Sequence, residues 1–255
     1  IPFLLSETHL LIENCKFKGE IFAIVYGKDS TVHIKNSEFA DHSGILGFPK
    51  HCYVENSKFI GSSMLQGARV ATVVKDSLTS GQVGDENQDA LYMINNAFAP
   101  YDPNELIFGR TVLLAKKDTG LVYLEGNRGG PAFMNMVSGN FYVRDVNAKN
   151  LIIGNLDGKK MIVTGLDFEN VNIDGLLFPG DLNVKNARWR NVAVSGEIQR
   201  SSDSKVNITI NARDVRFPLR ESGLRQRGIK IVESAAPFKF PKIKVPTLSD
   251  FGMEP

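Results

Sequence analysis

Ile12-Glu13-Asn14-Cys15-Lys16-Phe17, Ile34-Lys35-Asn36-Ser37-Glu38-Phe39 and Val54-Glu55-Asn56-Ser57-Lys58-Phe59 are three copies of one six-residue phrase. Its form is aliphatic, charged, Asn, small, charged, Phe. Weaker copies fall at residues 73–78, 93–98, 113–118, 163–168 and 184–189. Aligning Phe17, Phe39, Phe59, Leu78 and Phe98 in one column gives spacings of 22, 20, 19 and 20 residues, and Phe168 to Trp189 adds 21. A period near 20 that alternates apolar and polar residues, with no ten-residue amphipathic helix, excludes the leucine-rich, ankyrin and tetratricopeptide solenoids. It predicts a β-solenoid, in which short strands of successive turns pair in parallel about 4.8 Å apart. The aliphatic and Phe columns then stack inside and the charged positions face water. Asn recurs because it tolerates left-handed backbone at a sharp corner, and its amide can pair with the Asn one turn away.

The phrase resembles the coils of the right-handed parallel β-helix superfamily, the fold of pectate lyase-like enzymes, phage tailspikes and many bacterial surface proteins. The resemblance is clearest over residues 12–59 and covers about 200 residues with the weaker copies. Residues 148–194 have a different texture (Leu151-Ile152-Ile153, Leu166-Asp167-Phe168, Val171-Asn172-Ile173), closer to pentapeptide-like coils. The expected fold is therefore all-β: a single-stranded right-handed parallel β-helix of about nine coils, on the order of 40 Å long. Its anticipated bounds are residues 1–217, with residues 1–11 as the first cap, an enlarged loop over 126–139 and a polar insertion at 201–204. Residues 218–255 carry five prolines and a basic bias. There Phe238-Lys239-Phe240-Pro241-Lys242-Ile243-Lys244-Val245 alternates apolar and basic side chains, which suits an extended segment lying in an apolar groove. That tail either closes the solenoid or docks a partner.

Composition sets outer limits. Of the 255 residues 42% are hydrophobic and 23% charged, which excludes disorder over most of the chain. A formal charge of +2 is too small to steer the whole domain onto nucleic acid, so none is expected as a partner. The longest apolar run, residues 21–26, is too short to span a bilayer as a helix. The chain opens Ile1-Pro2-Phe3, as a trimmed or processed chain would. Cys15 and Cys52 have no metal or redox spacing, and two turns of separation place them beyond disulfide reach.

Two groups of residues are candidates for chemistry. The loops containing Asp85, Asn87, Asp89, Asp102 and Glu105 could bring carboxylates of adjacent turns together, holding Ca²⁺ through Asp85, Asn87, Asp89 and Asp102. No other cofactor is indicated. The spacing Asp85-x-Asn87-x-Asp89 is not an EF-hand, since Ala90 stands where its glycine and Asn96 where its glutamate should be. The second group is a basic column, Lys28, Lys50, Arg69 and Arg110, with Arg128 in a glycine-rich stretch. Stacked cations of this kind suit a linear acidic polymer. Resemblance to pectate lyases implies Asp ligands for Ca²⁺ and an Arg base, and resemblance to polygalacturonases implies paired Asp. Asp85, Asp89, Asp102 and Arg110 are the nearest available set, without a residue-by-residue match. The leading expectation is an extracellular or cell-surface binding domain that takes a polysaccharide or a protein strand along its lateral face. A polysaccharide lyase or glycoside hydrolase is the second, and a structural or secreted-effector fragment the third.

Overall fold

The computed structural model describes residues 2–61, 63–84, 87–99, 111–114, 119–130, 132–134, 139–154, 160–235 and 238–254. They form a parallel β-solenoid of about nine turns. Each early turn contributes three short strands. The first is Pro2–Ser6, His9–Glu13 and Lys16–Lys18; the second is Phe22–Tyr26, Thr31–Lys35 and Glu38–Ala40. Every strand pairs in parallel with its counterpart one turn on, as in His9↔Thr31↔His51↔Ala71↔Ala90↔Leu121↔Asn140. Residues 2–13 thus form the first two strands rather than a cap, and Leu4 and Leu11 are exposed.

The corner after the second strand explains the Asn column. Asn14, Asn36, Asn56, Asp76, Asn95, Asp145, Asn170, Asn191 and Asp214 all have φ between 47° and 55°. This left-handed geometry is one that Asn and Asp adopt more readily than other side chains. Gly126 takes the same place with φ 68°, where a Cβ would lie 2.2 Å from Asn95 Oδ1. Side-chain amides ladder along part of this corner: Asn191 donates to Asn170, and Asn170 to Asp145.

The residue after each corner forms a second, buried ladder. The Cys15 N–H donates to Ser37 Oγ, the Ser37 N–H to Ser57 Oγ, and the Ser57 N–H to Ser77 Oγ, at 3.0–3.1 Å. Asn96 and Asn127 continue it through their side-chain oxygens, while their amides donate to the Val74 and Met93 carbonyls. From the next turn the position is Val146, Val171, Val192 and Val215, and the chain runs in long bent strands, Asn140–Ile153, Met161–Phe178 and Leu182–Arg200. The change of texture in the sequence is this change from polar to apolar corners.

The core is a set of columns whose volumes compensate. In the early turns the third strand supplies the aromatics: Phe17 stacks on Phe39 at 4.9 Å and Phe39 on Phe59 at 4.8 Å, opposite Ile34 and Val54. In the late turns the second strand supplies them, Phe168 stacking on Trp189 at 4.8 Å, and the third strand shrinks to Ile173 and Val194. Phe168 and Trp189 therefore occupy the aliphatic column of the phrase, not the Phe column. Thr79 rather than Leu78 stands in register with Phe59, since Leu78 pairs with Lys58. The copy expected at 113–118 is displaced as well: Leu113 belongs to a first strand, Thr111–Leu114, and 115–118 lie outside the described residues. The phrase returns instead as Leu124-Glu125-Gly126-Asn127-Arg128-Gly129, in register with residues 93–98. The start of the anticipated 126–139 loop is thus a regular corner. Cys15 and Cys52 are free thiols, and burial pushes the Cys52 thiol up to about 12. Among the described residues no helix is long and apolar enough to cross a membrane.

Residues beyond 217 divide into two parts. Helix Glu221–Gln226 and strand Ile229–Glu233 close the end of the rod, burying Leu224 and Ile229 and pairing Ile208↔Ile229 through Ala212↔Glu233. The following segment turns back and runs along the outer side of the second strands to the first turns. Phe238 sits under the Arg188 guanidinium at 4.4 Å, and Phe240 meets the Tyr142 ring edge-on at 6.1 Å. Val245 and Leu248 pack with Tyr53, Val73 and Tyr92, and Phe251 stacks on His51 at 4.3 Å. Lys244 and Thr247 hydrogen bond to Asp250, whose carboxyl is held down to about 2.

Two outcomes are expected. Ser57→Ala removes the acceptor of the buried Ser37 N–H and should cost about 1–3 kcal/mol in urea unfolding. Burial, and then the Lys50 charge, hold the His51 imidazole below its ordinary 6.5, so that the folded chain keeps it neutral under Phe251. The unfolded chain takes the proton first, so this contribution is complete above pH 6.5 and declines as pH falls below it. The thermal midpoint should therefore drop less between pH 7 and 5 in His51→Gln than in the parent.

Candidate functional site

The residues singled out from sequence separate in space. Asp85, Asp102, Glu105 and Arg110 lie outside the described residues. Asn87 and Asp89 are exposed just before the strand Ala90–Ile94. Among the described residues no group of three His, Cys, Asp or Glu is placed to hold a metal ion. Lys28, Lys50 and Arg69 do gather at one corner, ahead of the second strands. Arg69 Nη2 donates to the Lys28 carbonyl at 2.8 Å, and Lys50 lies 3.7 Å from Asp29. They are not one register column: Lys50 aligns with Ser30 and Val70, so Arg69 is offset by a residue, and Asp29 partly neutralises the group. Arg128 is elsewhere, on a third strand between Ala97 and Asn147.

A different constellation emerges from the outward column of the second strands. Along successive turns it reads Leu11, His33, Tyr53, Val73, Tyr92, Tyr123 and Tyr142, then Asp167, Arg188 and Asn211. The apolar half lies mostly beneath the C-terminal segment. The polar half opens into a cleft of about 330 Å³ lined by Asn140, Tyr142, Asp167, Asn186, Arg188 and Asn211, with Thr164 and Gly165. Four consecutive layers furnish it, because the register places Asn140 against Gly165 and Asn186, and Tyr142 against Asp167, Arg188 and Asn211.

Two buried carboxylates stabilise this wall. Asp167, 1% exposed, receives both arms of Arg188: Nε donates to Oδ1 at 3.0 Å and Nη2 to Oδ2. That hydrogen bonding holds the Arg188 guanidinium above its ordinary value against the opposing effect of burial. Glu169, 2% exposed, lies between Arg144 at 3.4 Å and Arg190. Burial chiefly, and then the Asp167 charge, raise the Tyr142 hydroxyl, which stays protonated as a hydrogen-bond donor. Asp167 is thus held by both arms of one arginine, and Glu169 is flanked by two. The chemistry displayed is that of a planar, layered set of amides, a phenol and a guanidinium. Asn186 and Asn211 each give one long amide hydrogen bond to a backbone carbonyl, of Thr164 and Ala187, and keep a second N–H and the carbonyl oxygen for a polyhydroxylated ligand.

Sequence reasoning missed this site because its members are the ordinary charged and polar positions of the repeat, assigned to water. A usable signal was present: Asp167 and Arg188, like Glu169 and Arg190, are opposite charges 21 residues apart, one turn of the rod.

No protein-family model, curated protein or solved structure matches the chain.

Arg188→Ala leaves Asp167 buried without its partner and should cost about 2–3 kcal/mol in chemical denaturation. That is less than for a fully buried pair, because Arg188 is 44% exposed. Asp167→Asn with Arg188→Gln should recover part of the loss.

Proposed function

We propose that this β-solenoid is a binding domain for an extended polysaccharide, held along its lateral face at the cleft of residues 140–211. The observation that carries this reading is the layered row Asn140, Asn186 and Asn211, with Tyr142 and the Arg188–Asp167 pair, in one cleft on successive turns. Layers about 4.8 Å apart present these groups at regular intervals along the rod, as a chain of linked sugar rings presents its hydroxyls. Because Asp167 and Glu169 are engaged by arginines, they support holding a ligand rather than transferring a proton to it. An extracellular or cell-surface setting, where long glycans are displayed, goes with this function. The lyase or hydrolase alternative rests on Asp85, Asp89, Asp102 and Arg110, and on no geometry of the cleft.

A protein strand is the second reading, favoured by one specific observation: residues 238–247 already run along the same face without helix, anchored by Phe238 and Phe240, before the 3-10 turn Ser249–Phe251 seats Phe251 on His51. Calorimetry of the full chain with neutral and acidic oligosaccharides of six or more residues separates the two. Binding that weakens about tenfold in Asn186→Ala/Asn211→Ala, two exposed positions, supports the polysaccharide reading. No binding at millimolar concentration, or equal binding by the double variant, overturns it.

A further inference from the structure

The outward column nearest the corner carries alternating charge. Along it run Glu13, Lys35, Glu55, Lys75, Ile94, Glu125, Arg144, Glu169, Arg190 and Arg213. Opposite charges meet between layers: Glu13 lies 3.8 Å from Lys35, and Glu169 lies between Arg144 and Arg190. Ile94 interrupts the alternation without placing like charges together, and only at the last step do like charges adjoin, where Arg190 is followed by Arg213. Arg190 is committed to Glu169, and the cap strand returns no acid, since Glu233 stands in register with Ala212 and the next residue is Ser234. Among the described residues the one ion pair of Arg213 is with its neighbour Asp214 at 3.7 Å, both side chains about half-exposed or more, which contributes little.

Arg213 borders a second cleft, of about 410 Å³, together with Asn211, Ser234, Lys239 and Arg188. Arg188 and Asn211 also line the first cleft, so the two are contiguous. The surrounding charge has the same sign. Residues 182–255 hold fourteen Lys and Arg against seven Asp and Glu, a formal +7, whereas residues 1–181 hold sixteen against twenty-one. The modest total of +2 conceals a rod with a basic end.

We infer that the second cleft binds the anionic substituent of an acidic polysaccharide, a carboxylate or sulfate seated between Arg213 and Lys239. The ligand supplies the acid that the column lacks. This rests on the polysaccharide reading above and assigns it a substrate class. A nucleic acid fits less well, because single strands need open aromatic faces for stacking, and the Phe238 ring here is covered by the Arg188 guanidinium at 4.4 Å. An acidic peptide fits less well because the apolar anchor points on this part of the face are filled by Phe238 and Phe240.

The test is binding of the full chain to a uronate hexasaccharide, a sulfated hexasaccharide, a neutral hexasaccharide, poly-glutamate and single-stranded DNA. The acidic sugars should bind at least about tenfold more tightly than the neutral one, and the preference should shrink as salt is raised. Arg213→Gln and Lys239→Gln should each remove most of the preference while leaving neutral-sugar binding and the melting temperature unchanged, and Arg213→Lys should restore part of it. Comparison of the uronate and sulfated arms identifies the substituent. Equal binding of acidic and neutral sugars, or a preference indifferent to Arg213, overturns the anion site while leaving the polysaccharide reading intact. Binding of no sugar overturns both. Poly-glutamate or DNA bound as tightly, with the same dependence on Arg213, overturns the assignment to a glycan.

Discussion

The left-handed corner after each second strand is the constraint on which the rest of the molecule depends. One residue with φ near 50° turns the chain while leaving the next strand free to pair with its counterpart one layer away. Asn and Asp hold that conformation at small cost, and where Asn95 crowds the next layer only Gly126 fits. Once the corner recurs every twenty or so residues, the columns follow. Inward positions stack as aliphatic and aromatic piles, and outward charges meet their opposites one turn away. The groups after the corner pass hydrogen bonds along a buried Ser and Asn ladder until Val takes over.

The replacement of that ladder by valine shows that the corner admits two solutions. A buried serine satisfies the N–H of the preceding layer, and this suits short strands separated by turns. A buried valine leaves the polar work to the backbone ladder, which then runs almost uninterrupted through Asn140–Ile153 and Met161–Phe178. The aromatic pile changes sides between the same two regions, from Phe39 and Phe59 on the third strand to Phe168 and Trp189 on the second. The cross-section stays filled, as close packing demands.

Much of this was legible from the phrase around Phe17, Phe39 and Phe59, because a side chain period of two and a layer period of twenty leave a plain trace in composition. Register was harder. Leu78 and Thr79 are neighbours, and nothing local says that the smaller residue occupies the Phe column. The 126–130 glycines suggested a loop, since glycine at a corner and glycine in a loop look alike. The cleft was obscured for a different reason. Asp167 is buried against the half-exposed Arg188 only because successive turns stack and Phe238 of the C-terminal segment lies on the guanidinium, and neither fact is encoded near either residue. A charged phrase position reads as solvent-facing on its own, and its pairing one layer away shows only when opposite charges are sought at the 21-residue spacing of a turn.

The C-terminal segment alters what kind of object the rod is. In a simple solenoid each layer touches only its neighbours, so the end layers can fray alone and cooperativity decays with distance. Here Gly252, Met253 and Glu254 border a small cleft with His9, Leu11 and His33, which ties the last residues to the first turns. A one-dimensional array thereby becomes a closed circuit, in which loosening either end loosens the other. During synthesis the early turns can stack as they emerge, yet the tyrosine-rich stripe at Tyr53 and Tyr92 stays bare until residues 245–251 have left the ribosome. The interval between stacking and closure is when that stripe is open to other strands.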